Sequence, residues 1–290
     1  MRSSKVSVVI PTYNRARFVS DAVASCFYSA APSYPSAVDL EVIVVDDGST
    51  DDTVAVAEAW RSDVRVVKQT RIGKGNALAC GFAAARGDVI VMLDADGSAD
   101  SREIPRFVRA LVEGADFAKG TRFAAGGGSS DITRLRRLGN RALNGLVNTL
   151  YKTQYSDLCY GYNAFWAYCL PVIGLEPEER AEEMRWGDGF EVETLINLRI
   201  AKAGLKIMEV PSFESARLHG VSNLNAVSDG LRVLKTIATE RRTHHAALRT
   251  QVVDVTDPSL APARSGWQRP ASRRRSACPP NTDPDLEAVS

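Results

Sequence analysis

The sequence predicts an α/β fold with a mainly parallel sheet that is covered by helices on both faces. Short runs such as Val6–Ile10 and Val89–Leu93 are almost wholly apolar, as expected of strands that are buried on both faces. Segments with helical spacing separate these runs, and strands that alternate with helices are typical of parallel sheets. Acidic or glycine-rich segments follow the strands, so we expect them to meet at one edge of the sheet, where such folds bind ligands.

The individual elements follow from the apolar spacing in chain order. The first strand is stopped by Pro11, which lacks a backbone N–H, and the next segment repeats apolar residues three and four apart, as a helix does. The predicted strands are Ser7–Ile10, Glu41–Val45, Val64–Val67, Asp88–Leu93 and Leu205–Val210. The predicted helices are Arg17–Tyr28, a segment that ends at Trp60, Asn76–Ala85, a helix around Arg137–Asn144, Gly187–Ala203 and Ala226–Leu248.

Composition argues against several classes of protein. The 290 residues are 44% hydrophobic and 24% charged, which is typical of a globular domain. Lysine and arginine number 36 and aspartate and glutamate 35, so the net charge of +1 argues against nucleic-acid binding. The apolar runs are far shorter than the ~20 residues that span a bilayer. Five scattered cysteines without a C-x-x-C pair predict neither a disulfide framework nor a zinc site, which favours a cytoplasmic protein.

We expect one folded domain at residues 1–250 and a disordered tail at residues 251–290. Six of the 13 prolines fall in the tail: Pro258, Pro262, Pro270, Pro279, Pro280 and Pro284. Few aliphatic residues accompany them, so the tail cannot bury enough apolar surface to offset the entropy lost on ordering.

Deletion of residues 251–290 is therefore expected to leave the melting temperature nearly unchanged, because the tail has too few aliphatic residues to join a core. Thermal unfolding of the full and truncated chains measures the difference. A fall of many degrees would show that the tail docks on the domain.

Two carboxylates follow the fourth predicted strand. Asp94 and Asp96 are two residues apart at the end of extended chain, so both can reach one divalent cation. Their hard oxygen atoms suit Mg²⁺ or Mn²⁺, and such an ion can bridge the oxygens of a diphosphate. The alternative is that they are turn or helix-capping carboxylates.

Asp46 and Asp47 follow the second predicted strand. They are candidates for accepting hydrogen bonds from the imino and hydroxyl groups of a nucleoside, and the alternative is an Asx turn that caps the next helix. The GKGN segment at residues 73–76 lacks the spacing of a phosphate-binding P-loop, so by itself it predicts only a flexible turn with a cation, Lys74.

Four motifs occur in order in the first half of the chain: PTYN at 11–14, DDGSTDDT at 46–53, GKGN at 73–76 and LDADG at 93–97. Together they resemble the N-terminal half of family 2 glycosyltransferases, which have the Rossmann-like GT-A fold. Within that family the chain looks most like the polyprenyl-phosphate sugar synthases, such as the dolichyl-phosphate mannose and glucose synthases. The resemblance implies a single catalytic domain that transfers a hexose, with inversion and with Mg²⁺ or Mn²⁺, from GDP-mannose or UDP-glucose to a polyprenyl phosphate.

The resemblance also implies roles for single residues. Tyr13 and Asp47 would contact the nucleobase, and Asp94 and Asp96 would hold the metal and the diphosphate, with Asp96 required for catalysis. The other residues implied in the nucleotide-sugar site are Pro11, Asn14, Asp46, Lys74, Arg122, Asp157, Arg217 and Ser222. His219 is a candidate third metal ligand, and a hydrogen-bonded loop residue is the alternative.

A helix in the second half carries four arginines, Arg134, Arg136, Arg137 and Arg141. A comparable helix binds lipid phosphate in the synthases. Four arginines beside a nucleotide-sugar site can bind the acceptor phosphate or the leaving diphosphate by bidentate contacts. Arg134, Arg137 and Arg141 are the candidate acceptor-binding residues, and Arg137 is also a candidate catalytic residue. A solvated basic face is the alternative. The predicted apolar side of this helix consists of Leu135, Leu138, Leu143, Leu146 and Val147.

Asp188 and Glu191 open a later predicted helix. Family 2 enzymes that act on hydroxyl acceptors have a carboxylate near this point that removes the acceptor proton, which makes both residues candidate bases. Capping of the helix is the alternative. A lipid phosphate is already ionised, so transfer to it requires no such base.

Other interpretations stay open at this point. The acceptor group could be a hydroxyl of a glycan or metabolite instead of a lipid phosphate. The closing helix carries excess positive charge, so it either rests on an anionic membrane surface or packs on the domain with a solvated basic face. A sugar nucleotidyltransferase is the alternative outside the glycosyltransferases. Its first loop would be rich in glycine and would contain arginine, whereas the PTYN segment has neither residue. The paired aspartates argue against a non-catalytic nucleotide-sugar-binding module.

Overall fold

The computed structural model describes residues 5–29, 39–60, 64–175, 177, 183–216 and 226–242. A seven-stranded sheet lies at its centre, and a two-stranded parallel pair is separate from it. The strands are β1 (Lys5–Thr12), β2 (Asp39–Asp46), β3 (Val64–Lys68), β4 (Val89–Met92), β5 (Phe117–Thr121), β6 (Gly128–Ser129), β7 (Asn163–Trp166), β8 (Ile207–Pro211) and β9 (Phe213–Glu214). The helices are α1 (Val19–Ser29), α2 (Thr53–Glu58), α3 (Lys74–Ala84), α4 (Ile104–Val112), α5 (Arg134–Tyr151), α6 (Leu170–Ile173), α7 (Val192–Lys202) and α8 (Ala226–Arg242).

The strand order in the large sheet is β3-β2-β1-β4-β7-β5-β8. β1 pairs in parallel with β2 and β4, and β2 pairs in parallel with β3, so the carboxyl ends of four strands meet at one edge. β7 is antiparallel to both β4 and β5, and β8 is parallel to β5. The sheet is therefore mainly parallel, which confirms the predicted α/β class.

Side chains of β1 alternate between two hydrophobic cores, one on each face of the sheet. Val8 and Ile10 belong to the core that includes residues of α1, α2 and α4, whereas Val9 belongs to the core that includes residues of α3, α6 and α7. Helices thus exclude water from both faces, which is why the strands are recognisable as continuous apolar runs.

The predicted helix Gly187–Ala203 begins later than expected, at Val192. Gly187 has a φ of 98°, in the left-handed region that favours glycine, and residues 187–191 form a turn ahead of the helix. The closing helix is described as far as Arg242, and the rest of its predicted range lies outside the described residues.

Helix α5 does not bury the side that its apolar spacing predicts. Val147 is buried, but Leu135 and Leu138 are 64% and 67% exposed. The inward face carries Asn140 and Asn144, whose amides bind polar groups of the loop that follows the helix. Hydrogen bonding to that loop, in place of leucine burial, fixes the rotation of α5 on the domain.

Within the described ranges, no helix combines the length and the apolar character needed to cross a membrane. The predicted tail at residues 251–290 lies outside these ranges, and so do three predicted site residues, Arg217, His219 and Ser222.

Candidate active site

A cavity of about 690 Å³ opens at the carboxyl ends of the parallel strands and continues to α5 and α8. Near the strand ends it is lined by Pro11, Tyr13, Asp47, Lys74, Asp94, Asp96 and Arg122. Toward the helices it is lined by Ile132, Leu135, Arg136, Leu143, Arg232 and Val233. The sequence motifs therefore converge on one cavity, which also reaches the arginine-rich helix.

Asn14 joins the loops after β1 and β2, whereas the side chain of Asp46 bonds within the second loop, and neither residue lines the cavity. Asn14 has a φ of 50°, and its Oδ1 accepts a hydrogen bond from the backbone N of Thr50 at 2.8 Å. Its own backbone N donates to Ser49 Oγ at 2.9 Å. Asp46 is buried and accepts from the backbone N of Ser49 at 3.1 Å, a structural role inside the loop after β2 that does not cap α2, which begins at Thr53.

Tyr13 and Asp47 are placed to meet a flat ligand. The side chain of Tyr13 is 53% exposed, so its ring offers a face for stacking. Asp47 Oδ1 accepts hydrogen bonds from the backbone N of Gly73, at 3.0 Å, and from Gln69 Nε2. Burial raises the pKa of the Asp47 carboxyl above its ordinary value, although these hydrogen bonds oppose the rise.

Lys74, the first residue of α3, lies between two carboxylates. Its ammonium is 2.8 Å from Oδ1 and 2.9 Å from Oδ2 of Asp94, and 2.6 Å from Oε1 of Glu193. Burial alone would lower the pKa of Lys74, but the negative charges of Asp94 and Glu193 outweigh it and raise the pKa above its ordinary value. The cavity therefore contains a charged lysine held by two carboxylates.

The glycines of the GKGN segment permit a close backbone contact with the turn before α7. The backbone N of Gly75 donates to the carbonyl of Asp188 at 2.6 Å, and a Cβ on Gly75 would lie 1.8 Å from the carbonyl oxygen of Gly187. The expectation of a flexible turn is wrong, because two backbone segments pack against each other here with no room for a side chain.

Asp94 and Asp96 have the chemistry that a divalent cation requires. Asp96 Oδ1 accepts hydrogen bonds from the backbone N and the Oγ of Ser98, at 3.0 and 2.7 Å. Two carboxylates in one cavity fit Mg²⁺ or Mn²⁺, because such ions keep several waters and bind few protein oxygens beside a phosphate ligand. The described residues contain no group of three histidine, cysteine or acidic side chains suited to holding a metal ion.

Arg122 is fixed in the cavity wall by two carboxylates and a ring. Its Nε and Nη2 bind the two oxygens of Asp157 at 2.7 and 2.9 Å, and its Nη1 lies 3.0 Å from Glu214 Oε2. Its guanidinium carbon lies 4.9 Å from the ring centre of Tyr160. Burial would lower the pKa of Arg122, but these contacts raise it. Asp157 is fully buried and does not line the cavity, so it positions Arg122.

Asp188 and Glu191 are buried in the turn before α7 and do not line the cavity. Asp188 binds Arg71 through both oxygens, at 2.7 and 2.9 Å. Glu191 accepts hydrogen bonds from two backbone N–H groups of its own turn. The geometry favours the structural alternative for both residues over a role as base. The carboxylate of this segment that lines the cavity is Glu193.

Of the four arginines on α5, Arg136 lines the cavity. The three predicted acceptor residues, Arg134, Arg137 and Arg141, are exposed and do not line it. The rotation of α5 that buries Asn140 accounts for this difference, and α8 contributes Arg232 to the same end of the cavity.

Three residues of the site, Gln69, Arg71 and Glu193, were not predicted from the sequence. Gln69 and Arg71 carry no local motif, since their partners lie 22 and 117 residues away in the chain. Arg136 is predicted from the sequence only as one of four similar arginines, and the rotation of α5 distinguishes it from the others. Glu193 could have been found from its place in the first turn of α7, had the start of that helix been known.

A mainly parallel sheet with a D-x-D motif and a large cavity at its strand ends is typical of one class, the nucleotide-sugar-dependent glycosyltransferases of GT-A fold. The sequence profile of glycosyl transferase family 2 matches residues 7–170, and the chain belongs to this family. It is 30% identical over 227 residues to glycosyltransferase AglJ of Haloferax volcanii, a match that covers 78% of this chain and 68% of AglJ. It is 30% identical over 224 residues to the dolichol-phosphate mannosyltransferase of Pyrococcus furiosus, which covers 76% of this chain but only 59% of that protein.

Solved structures agree with this assignment. Glucosyl-3-phosphoglycerate synthase from Mycobacterium tuberculosis, in complex with Mn²⁺, UDP-glucose and phosphoglyceric acid, matches with a TM-score of 0.60 and 25% identity over 84% of this chain and 82% of that chain. The same synthase has also been crystallised with Mg²⁺ and UDP. Family membership makes the chain a glycosyltransferase, so the nucleotidyltransferase and the non-catalytic alternatives are not retained.

Proposed function

We propose that the protein transfers a hexose, with inversion, from a nucleotide-diphosphate sugar to a polyprenyl phosphate, with Mg²⁺ or Mn²⁺ at Asp94 and Asp96. The observation that carries the proposal is the continuity of the cavity, which extends from the motif residues to an end between α5 and α8 that is lined by two arginines, two aspartates and apolar side chains. The similarity to the dolichol-phosphate mannosyltransferase supports the same acceptor.

At the strand ends, this chain's residues bind and orient the donor. The ring of Tyr13 stacks on the base, and Asp47 accepts hydrogen bonds from its imino group or from the ribose. A divalent ion at Asp94 and Asp96 would supply positive charge to the leaving diphosphate. Arg122 adds a fixed cation at the same end. UDP-glucose and GDP-mannose are the donors to test, and the bound UDP-glucose of the mycobacterial synthase supports the first. Contacts from Arg217, Ser222 and His219 remain predictions.

At the helix end, Arg136 and Arg232 bind the acceptor phosphate through charge-assisted hydrogen bonds, and the phosphate shares Arg232 with Asp229, whose Oδ1 lies 3.1 Å from Arg232 Nη1. Apolar side chains line the same part of the cavity, and Leu138 on α5 and Leu231 on α8 continue the apolar surface outside it, at 67% and 63% exposed. A prenyl chain needs such a path away from its phosphate. The phosphate is already ionised, so its oxygen attacks without a base, in keeping with the buried positions of Asp188 and Glu191.

An acceptor comparison tests this proposal. The protein with Mn²⁺ and radiolabelled UDP-glucose or GDP-mannose is offered a polyprenyl phosphate, 3-phosphoglycerate or a glycan. Label that extracts into organic solvent is the expected result. Label found only in a water-soluble product would overturn the lipid acceptor and leave the family assignment intact.

A hydroxyl of a small phosphorylated metabolite is the second candidate acceptor. The phosphoglyceric acid bound by the mycobacterial synthase favours it. The arginines would then hold the acceptor's phosphate group, and a cavity carboxylate would have to take the hydroxyl proton. The comparison of acceptors separates the two candidates directly.

Arg136→Ala is expected to lower kcat/KM for the polyprenyl phosphate by about 10- to 100-fold, because a hydrogen bond to a charged group contributes about 1.5–3 kcal/mol. Arg137→Ala, which changes an exposed residue of the same helix, should have a much smaller effect. Steady-state kinetics with varied acceptor measure both. Equal effects, or a larger effect of Arg137→Ala, would favour Arg137 as an acceptor-binding residue, as the sequence predicts.

We further propose that the exposed leucines of α5 and α8 lie against a membrane surface. Leu135, Leu138, Leu231 and Leu234 are 64%, 67%, 63% and 42% exposed, while Val233 packs inward. The exposed basic residues beside them, such as Arg137 and Arg232, would meet anionic headgroups. We expect the protein to cosediment with vesicles rich in phosphatidylglycerol. The double variant Leu138→Gln with Leu231→Gln should reduce the fraction of protein that cosediments. Equal recovery with and without vesicles would contradict the proposal.

A further inference from the structure

The ammonium of Lys74 contacts both carboxylate oxygens of Asp94, at 2.8 and 2.9 Å. These are the oxygens that the proposed metal site requires. A divalent cation at Asp94 would have to replace or share at least one of these contacts. Two cations on one carboxylate also repel each other. The side chain of Lys74 is 16% exposed and that of Asp94 is 40% exposed, so solvent screens this repulsion only in part.

Glu193 gives the ammonium a second partner. Its Oε1 lies 2.6 Å from Lys74 Nζ, and its side chain is 12% exposed. Glu193 is anchored in the first turn of α7, whereas Asp94 follows β4, so the lysine bridges two separate elements. If Lys74 leaves Asp94, it keeps one carboxylate and does not become an unpaired buried charge, which would be costly.

Gly161 lies against this pair. A Cβ there would lie 3.2 Å from Glu193 Oε1 and 3.6 Å from Lys74 Nζ. A side chain at residue 161 would therefore crowd the lysine and its partner on the cavity side, because Gly161 itself lines the cavity.

We propose that Lys74 is a positioning residue that competes with the divalent cation for Asp94, and that it moves from Asp94 to the donor diphosphate, still paired with Glu193, when metal and nucleotide bind together. The inference rests on the proposed metal site at Asp94 and Asp96. Metal alone must displace a well-paired cation. A diphosphate gives that cation a new anionic partner, so nucleotide and metal should strengthen each other's binding.

Mn²⁺ binding tests this without any transfer reaction. The signal of free Mn²⁺ in electron paramagnetic resonance gives the Mn²⁺ affinity of the full-length protein, with and without UDP. Lys74→Met should bind Mn²⁺ alone at least about fivefold more tightly than the wild type, the lower end of typical coupling between two sites. In the same variant, the gain in Mn²⁺ affinity caused by UDP should shrink.

Two further variants set the direction of the effect. Glu193→Gln leaves the ammonium paired only with Asp94, so it should weaken the binding of Mn²⁺ alone. Lys206→Met removes an exposed lysine that does not line the cavity and should match the wild type. Because Lys74→Met and Glu193→Gln are expected to act in opposite directions, a general loss of fold cannot produce both results.

Asp94→Asn separates a failure of this inference from a failure of the proposed function. If Asp94→Asn loses Mn²⁺ binding while Lys74→Met binds Mn²⁺ no more tightly than the wild type, the competition is overturned and the metal site stands. If Asp94→Asn binds Mn²⁺ as the wild type does, the metal site itself is wrong, and the inference falls with it.

Discussion

Asp96→Asn is expected to lower the rate of sugar transfer by about 10³-fold or more while the melting temperature stays close to that of the wild type. The carboxylate would lose its charge toward the metal and the leaving diphosphate, and such electrostatic stabilisation contributes several kcal/mol to the transition state. The fold should tolerate the change, because an asparagine Oδ1 can still accept the two hydrogen bonds from Ser98. Initial rates with saturating donor and Mn²⁺ measure the loss.

Asp39→Asn serves as the matched control, since it removes one charge from a carboxylate that is exposed and outside the cavity. It should retain wild-type turnover. Full turnover of Asp96→Asn at saturating Mn²⁺ would refute the assignment of Asp96 to the metal.

Arg71→Met is expected to destabilise the protein by about 3–5 kcal/mol, because it leaves the charge of Asp188 buried without its cationic partner and, among the described residues, with only the hydrogen bond from the backbone N of Arg185. The two side chains are 4% and 5% exposed, so water cannot compensate for the lost contacts. At roughly 2–4 °C for each kcal/mol in a protein of this size, the melting temperature should fall by on the order of 10 °C. Thermal unfolding followed by circular dichroism measures the shift.

Asp188→Asn gives the complementary test of the same pair. A structural role predicts a lower melting temperature with kcat per folded molecule close to that of the wild type. A catalytic base predicts the reverse, an unchanged melting temperature and a rate lower by ~10²–10⁴-fold. The second pattern would overturn the structural assignment of Asp188 and favour a hydroxyl acceptor.

The sheet could be predicted from sequence because its physical requirement is local. Strands such as β1 and β4 are closed from water on both faces, so almost every side chain must be apolar. The rotation of α5 could not be predicted in this way. Its leucines follow helical spacing, but its inward face is set by what Asn140 and Asn144 meet in the loop that follows the helix, and apolar spacing does not reveal the path of that loop.

The same distinction between local and long-range requirements applies to the residues of the candidate site. Asp47, Asp94 and Asp96 directly follow strands, and parallel strands end at a common edge, so their convergence could be expected from sequence. Arg71 and Glu193 act through partners that are distant in the chain. Acidic residues near a helix start have a general reason to be there, so Asp188, Glu191 and Glu193 could not be ranked until their contacts were known.

The attachment of α5 through amides has a consequence for how this enzyme can diversify. Asn140, Asn144 and Val147 hold the helix in place, while Leu135 and Leu138 contribute little to the core. Substitutions on that outer surface leave the anchoring contacts untouched. With the acceptor role proposed for α5, recognition of the second substrate can change, or be re-engineered by substituting surface residues of a single helix, at little cost to folding and without disturbing the donor half of the domain.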